Sequence, residues 1–162
     1  MLMLVDQTKC MKVNSFLKIS ALSAVLLGCG LLWEYRENHE IEEWTWAADD
    51  VQTFVYTTDE IQVLDATVLI RHLHGFQYSS INLKCEVTTP DTLLTTSFVI
   101  PIKDDQGGYL GEGSVDLWDI SHRFMVGHTF VPGEHTFRIR QETANPLPLL
   151  MEVGLQLEQS KQ

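Results

Sequence analysis

Alternation of apolar and polar residues is the feature that most restricts what this chain can fold into. In the stretch INLKCEVTT, the apolar residues Ile81, Leu83, Cys85 and Val87 occupy every second position. Successive side chains of an extended strand point to opposite faces, so these four residues share one face. From residue 51 onward, no segment shows sustained helical periodicity. The pattern therefore predicts β-strands that each bury one face.

Similar short runs follow one another and are separated by Gly, Pro and Asp, which are typical turn residues. About seven or eight strands fit, and this predicts an all-β, antiparallel β-sandwich of jelly-roll or immunoglobulin-like type over residues 50–162. The segment Leu117–Arg123 (LWDISHR) is interpreted as a short helix or turn. The other predicted strands lie at 51–57, 66–73, 93–102, within 130–142, and at 150–158.

The segment from Met11 to Cys29 has the build of an export signal. A lysine-bearing stretch is followed by the apolar run ISALSAVLL and then by Gly-Cys. The run is shorter than the roughly 20 apolar residues of a membrane-spanning helix. Its end, LLGC, resembles the bacterial lipobox. We therefore expect residues 1–28 to contain a lipoprotein signal peptide, with translation starting at Met11. Cys29 is expected to be the lipidated residue and to carry acyl chains such as palmitate. Residues 29–49 are expected to form a tether.

Charge and the residue after Cys29 narrow the location and the partners. Three of the 11 Lys and Arg and one of the 22 Asp and Glu precede Cys29, so the remainder carries 8 basic and 21 acidic side chains. Such an acidic surface repels phosphate backbones and makes nucleic acid an unsuitable partner. Gly30 stands where an inner-membrane retention signal would have Asp. The expected location is the outer membrane, facing the periplasm.

Signatures of catalysis and metal binding are missing from the sequence. It contains no P-loop, G-x-S-x-G, H-E-x-x-H or C-x-x-C motif, so no catalytic residue, no cofactor and no enzymatic activity are expected. His72 and His74 share a strand face and could begin a zinc site, but a solvated pair is favoured and no metal is predicted. Cys85 is interpreted as a buried structural thiol.

Two further segments leave alternatives open. The glycine-rich DDQGGYLGEG is interpreted as a turn that needs positive φ, with calcium binding as the alternative. Gly111 and Gly113 are expected to be turn or bulge residues whose backbone disfavours a Cβ. The aromatic and acidic stretch from Trp33 to Trp46 either packs on the sandwich, lies against the membrane, or forms a platform for sugars.

The order of several motifs resembles the gliding-motility lipoprotein GldH family of Bacteroidota. The resemblance rests on the lipobox cysteine and on YRENHEI, VLIRHLHGFQYSSINL, IKDDQGGYLGEGSVDLWD and GEHTFRIRQETANPLPLLMEVGLQLE. Arg71, Tyr78 and Asn82 match the family's middle motif, and Gly111 and Gly113 match its glycine motif. These five residues are the candidate structural or docking positions.

The resemblance implies a role and not a reaction. It implies a non-enzymatic accessory or scaffold of the gliding-motility and type IX secretion machinery, anchored to the membrane by lipid and in contact with other envelope proteins. The alternative is a periplasmic module that binds glycans or peptidoglycan. Arg71 is expected to hold a carboxylate or loop carbonyls and so fix a loop, and the rival role is docking of an acidic partner.

Overall fold

Alternating burial along the strands produces two antiparallel β-sheets that face each other. The computed structural model describes residues 33–161. In chain order the strands are β1 (Trp33–Glu40), β2 (Thr45–Trp46), β3 (Gln52–Thr58), β4 (Gln62–Leu73), β5 (Ser80–Thr88), β6 (Leu93–Pro101), β7 (Glu112–Ser114), β8 (Leu117–Phe130), β9 (Gly133–Gln141), β10 (Leu147–Pro148) and β11 (Leu150–Gln159). A single-turn 3-10 helix spans Glu42–Trp44.

The strands divide into a five-stranded and a four-stranded sheet. The five-stranded sheet has the order β1-β11-β4-β8-β7, and the four-stranded sheet has the order β3-β9-β5-β6. Strands β2 and β10 form a separate two-stranded ribbon. The antiparallel β-sandwich predicted from the alternation is therefore confirmed. Within residues 33–161, no helix is long and apolar enough to span a membrane.

The space between the sheets is filled by the alternating apolar residues. Val68 and Ile70 of β4 and Leu155 of β11 are buried, as are Leu83 and Ile139 of the opposite sheet. Each side chain of this size contributes about 1.5–3 kcal/mol when fully buried. A slip of β4 by one residue would turn all its core residues to solvent, so the core determines the register of the sheet.

Strand β8 corrects the sequence interpretation of Leu117–Arg123 as a helix or turn. The segment is the first half of a strand of 14 residues. Its partner is β4, and Ile120 lies opposite Ile70 in that pairing. The alternation was hidden because the polar residues Asp119, Ser121 and Arg123 have only one buried aliphatic residue, Ile120, between them.

The sandwich starts at Trp33, with strand β1, and not at residue 50 as predicted. Strand β1 pairs with β11 along its whole length, from Trp33 opposite Glu158 to Glu40 opposite Glu152. The ring of Tyr35 meets that of Tyr56 edge-on, with 5.9 Å between the centroids. Residues 33–49, predicted to be tether, are thus part of the folded domain. The predicted signal peptide and Cys29 lie outside the described residues.

Cys85 has the environment that was predicted for a structural thiol. It lies on β5 with no solvent exposure. Burial is the main cause that raises the pKa of its thiol to about 12, and the nearby Glu86 carboxylate adds to the shift. Because only the thiolate is an effective nucleophile, this cysteine is unreactive at neutral pH in the folded protein.

Candidate functional site

The outer face of the five-stranded sheet carries an open groove of about 1080 Å³. Residues that alternate with the core positions of β1, β4, β8 and β11 form most of its lining, and the segment from Leu110 to Glu112 borders it. The groove is therefore the polar counterpart of the core, produced by the same period of two.

Arg71 lies at the centre of a row of polar side chains that crosses four strands. Its Nε and Nη2 atoms donate to the two carboxylate oxygens of Asp119, at 2.8 and 3.0 Å, and its Nη1 donates to Glu152 at 2.9 Å. Asn38 donates to the other oxygen of Glu152 at 3.3 Å. We call these four residues the Arg71 row. A bidentate pair of this kind fixes the plane of the guanidinium.

A second row crosses the same sheet several residues away. Arg123 pairs with Glu158 at 3.0 Å and with the buried carboxylate of Asp65 at 3.1 Å. On the other side, Arg36 donates to Gln156 at 3.3 Å, and the amide of Gln156 lies 3.5 Å from Glu158. We call these five residues the Arg123 row.

Small and apolar residues form the floor between the two rows. Gly154, Leu69 and Ser121 lie opposite one another on β11, β4 and β8. A side chain at Gly154 would run into the amide oxygen of Asn38 on β1. Glycine at this position keeps the floor open and lets the two strands approach closely.

Gly111 and Gly113 hold the neighbouring segment against β8, but for different reasons. Gly111 has φ +91°, as was predicted, and a Cβ there would meet the carbonyl oxygen of Asp119. Gly113, which was expected like Gly111 to be a turn or bulge residue, does not have positive φ. Gly113 lies in β7, where a Cβ would come within 2.5 Å of the Trp118 ring. Both glycines thus allow close approach to the strand that carries Asp119.

Arg71 in the first row and Asp65 in the second are held in their ionised forms. Hydrogen bonds from Arg71 to Asp119, together with the charges of both acidic partners, raise the guanidinium pKa. The pKa of Asp65 is lowered, chiefly because its carboxylate accepts a 2.8 Å hydrogen bond from the Gly127 amide, and also because Arg123 is near. Both shifts are directed away from neutral pH, so these groups are fixed charges rather than proton carriers.

Only part of the predicted residue set comes together at this site. Arg71 pairs with carboxylates as expected, but its partners lie on strands β8 and β11 and not on a loop. Tyr78 is half-buried beside the ring of Phe76 in the connection after β4. Asn82 is exposed on β5, in the opposite sheet, where its backbone amide bonds to the Thr143 hydroxyl.

The possible metal pair of His72 and His74 is separated by the end of β4. His72 is fully buried, which lowers the pKa of its imidazole, and its Nδ1 lies 3.0 Å from the carbonyl oxygen of Leu73. His74 is exposed in the following turn. The prediction of a solvated pair is thus wrong for His72. Residues 33–161 contain no cluster of three or more His, Cys, Asp or Glu that could hold a metal ion.

The aromatic stretch and the glycine-rich loop have structural roles. Trp46 is fully buried, and its indole N–H donates to the carbonyl oxygen of Asp50 at 2.8 Å, whereas Trp44 is 44% exposed. In the described part of the chain, no Trp, Tyr or Phe lines the groove. In the loop, the carboxylate of Asp104 accepts hydrogen bonds from the backbone amides of Gln106 and Gly108. Its carboxylate closes a turn, which was the favoured interpretation.

Sequence reasoning missed the partners of Arg71. Glu152, Gly154, Gln156 and Glu158 were readable as the polar side of β11, because they alternate with its apolar residues. Asp119 and its neighbours on β8 were not readable in this way, since that strand was interpreted as a helix or turn. Which acidic residue meets Arg71 depends on strand order, which the alternation does not determine.

Comparison with known proteins identifies the family. The family model for the GldH lipoprotein matches residues 34–157, from the start of β1 to the end of β11. The chain belongs to the GldH lipoprotein family. A family of gliding-related lipoproteins implies that its members are associated with a membrane of the cell envelope through lipid.

Other comparisons add little to this result. No curated protein matches the chain. Among solved structures, the Eiger TNF of S. frugiperda is similar over 65% of each chain, with 12% identity and a TM-score of 0.28. That likeness is too weak to carry an argument about fold or function.

Three glycine substitutions separate backbone strain from close packing. Gly107→Ala introduces a Cβ at φ +84° with no atom within 4 Å, so we expect a loss of about 1 kcal/mol in the free energy of unfolding. Gly113→Ala introduces only close contacts, with the Trp118 ring and the carbonyl oxygen of Leu117, for which about 1–3 kcal/mol is expected. Gly111→Ala combines both causes and should cost the most. Urea unfolding of the three variants measures this order, and equal losses would contradict it.

Acid unfolding tests the fixed charge of Asp65. The pKa of Asp65 is lowered in the folded state. Its contribution to the free energy of unfolding is therefore complete above its pKa in the unfolded chain, about 3.9, and is lost as the pH falls through its pKa in the folded protein. We expect the stability difference between wild type and Asp65→Asn to shrink from about pH 5 downward. Urea titrations at several pH values measure it, with the exposed loop variant Asp105→Asn as the control. Parallel curves for wild type and Asp65→Asn would refute the assignment.

Proposed function

We propose that this protein is a lipid-anchored, non-enzymatic component of the gliding-motility and type IX secretion machinery, and that its groove binds another envelope protein. Membership of the GldH lipoprotein family supports the cellular setting. The observation that carries the binding role is the groove, a space of about 1080 Å³ flanked by two rows of paired charges.

Paired charges favour recognition over catalysis. A general acid or base works best with a pKa near the operating pH, whereas the pKa shifts of Arg71 and Asp65 are directed away from it. The pairs also hold the side chains in place before a partner arrives, so little conformational entropy is lost on binding. The side chains of Arg71 and Asp119 remain 37% and 54% exposed, so their outer edges are available to a partner.

The anchor in this proposal is Cys29, at the end of a sequence that resembles a lipobox. Gly30 in place of Asp favours the outer membrane, with the domain on its periplasmic side. In this arrangement the protein is a fixed receptor at the membrane, and its partner is a component that reaches it through the periplasm.

Removal of the lipidated thiol tests the anchor. In cells fed an alkyne fatty acid, Cys29→Ala should remain unlabelled and unprocessed, because acylation and cleavage both require that thiol. Cys85→Ala, the matched control, should be labelled like wild type, because that thiol is buried in the core. Equal labelling of Cys29→Ala and wild type would exclude a lipid on this residue.

Variants in the groove test the binding role. A tagged protein purified from detergent-solubilised membranes of its own cells should recover components of the gliding and type IX secretion machinery, identified by mass spectrometry. Arg71→Gln should reduce this recovery, because it removes the centre of the Arg71 row. Ser121→Phe should do the same by filling the floor without changing a charge.

The control for both groove variants is Arg138→Gln, an equal loss of charge at an exposed position on the opposite sheet. It should recover the same proteins as wild type. The proposal fails if the wild type recovers no envelope component, or if both groove variants recover as much as Arg138→Gln.

A further inference from the structure

Strand β1 begins at one end of the sandwich, and this end is therefore the one next to the residues that precede the domain. We define the near end as the end where β1 begins. There Trp33 lies opposite Glu158, near the end of β11, and on the other sheet Thr58 at the end of β3 lies opposite Gly133. The near end also contains the start of β4, the end of β8, the end of β5 and the start of β6.

Covalent geometry brings the near end close to Cys29. Only three residues separate Cys29 from Trp33. Consecutive Cα atoms are about 3.8 Å apart, so the Cα atoms of these two residues lie within about 15 Å of each other for any path of the chain. If Cys29 carries the lipid, as the proposed function requires, the near end is the part of the sandwich held next to the membrane.

Three of the exposed aliphatic side chains lie at the same end, whereas others, such as Val115, lie elsewhere on the domain. Ile61, in the turn between β3 and β4, is 66% exposed, and Leu93, the first residue of β6, is 63% exposed. Val63, the second residue of β4, is 42% exposed. Burial of such side chains at a lipid interface stabilises association, although each contributes little alone.

The charges at the near end select the type of lipid surface. Asp59 and Glu60 are exposed directly before Ile61, and Asp91 is exposed two residues before Leu93. Carboxylates at these positions would be repelled by anionic headgroups, whereas zwitterionic headgroups carry no net charge.

We propose that the near end of the sandwich rests on a zwitterionic lipid surface, with Ile61, Val63 and Leu93 in contact with the headgroup region. This inference rests on the lipid anchor of the proposed function and adds an orientation to it. Arg71 lies nine residues along β4 from Gln62, which corresponds to about 30 Å. The Arg71 row therefore lies far from the membrane along the sheet, where a periplasmic partner can reach it.

Fluorescence quenching of the lipidated full-length protein tests this orientation. Single cysteines placed at residues 61, 93 or 115 (Ile61→Cys, Leu93→Cys, Val115→Cys) can each be labelled with an environment-sensitive dye, because the native Cys85 is buried. Val115 is 86% exposed and lies in the turn between β7 and β8 at the other end of the sandwich, which makes it the matched control. The protein is then reconstituted into phosphatidylcholine vesicles with spin-labelled headgroups.

The expected result is loss of fluorescence from the labels at residues 61 and 93 and unchanged fluorescence from the label at residue 115. Vesicles containing phosphatidylglycerol should quench the first two labels less. Co-flotation with vesicles separates the two proposals. A protein that fails to float overturns both the anchor and the orientation. A protein that floats but shows equal quenching at all three positions, or none at 61 and 93, overturns only the orientation.

Discussion

Every feature of this protein depends on the requirement that one face of each strand lies in a shared apolar core. Because successive side chains of a strand point to opposite faces, burial of Val68 and Ile70 places Leu69 and Arg71 on the outer face of the sheet. The same rule applied to β11 places Glu152 beside Arg71 and Gly154 beside Leu69. The groove is a consequence of core packing, and its charges meet because the register of three strands is fixed from the other side of the sheet.

The sequence predicts the class of fold well and the site only in part. Alternation is local, so stretches such as that around Cys85 are recognised as strands from a few residues. Strand order depends on contacts between residues that are distant in the sequence. The residues around Arg71 therefore do not indicate that Asp119 and Glu152 are its partners. Strand β8 was missed because few of its inward side chains are aliphatic, so its polar outward residues did not alternate with a recognisable apolar face. Strand β1 was missed because its inward contacts are made by Tyr35 and His39 and not by aliphatic residues. The imidazole ring of His39 stacks on the ring of Phe54.

The two rows of the groove differ in how much they contribute to stability. In the Arg123 row, Asp65 is buried and accepts a hydrogen bond from the Gly127 amide of β8. This row therefore holds β8 to β4 at the point where the register between the two strands shifts. In the Arg71 row, all three charged side chains keep part of their surface in solvent, and isolated pairs of this kind add only about 1 kcal/mol or less to folding. The Arg71 row therefore contributes little to folding, which agrees with the binding role proposed for it, and the neighbouring Gly111 allows the adjoining segment to lie close to Asp119.

The pairing of β1 with β11 has a consequence for how the chain is completed. The first strand of the domain bonds to the last, with residue 33 opposite residue 158. When the chain emerges from its N-terminus, β1 has no partner until the final ten residues of the domain have appeared, and β4 lacks one of its two neighbours for the same period. Contacts between such distant residues form slowly, because a long loop must close before any stabilising contact is gained. The five-stranded sheet can therefore close only after β11 has been synthesised, so a fragment that ends before residue 150 lacks the strand that joins β1 to β4.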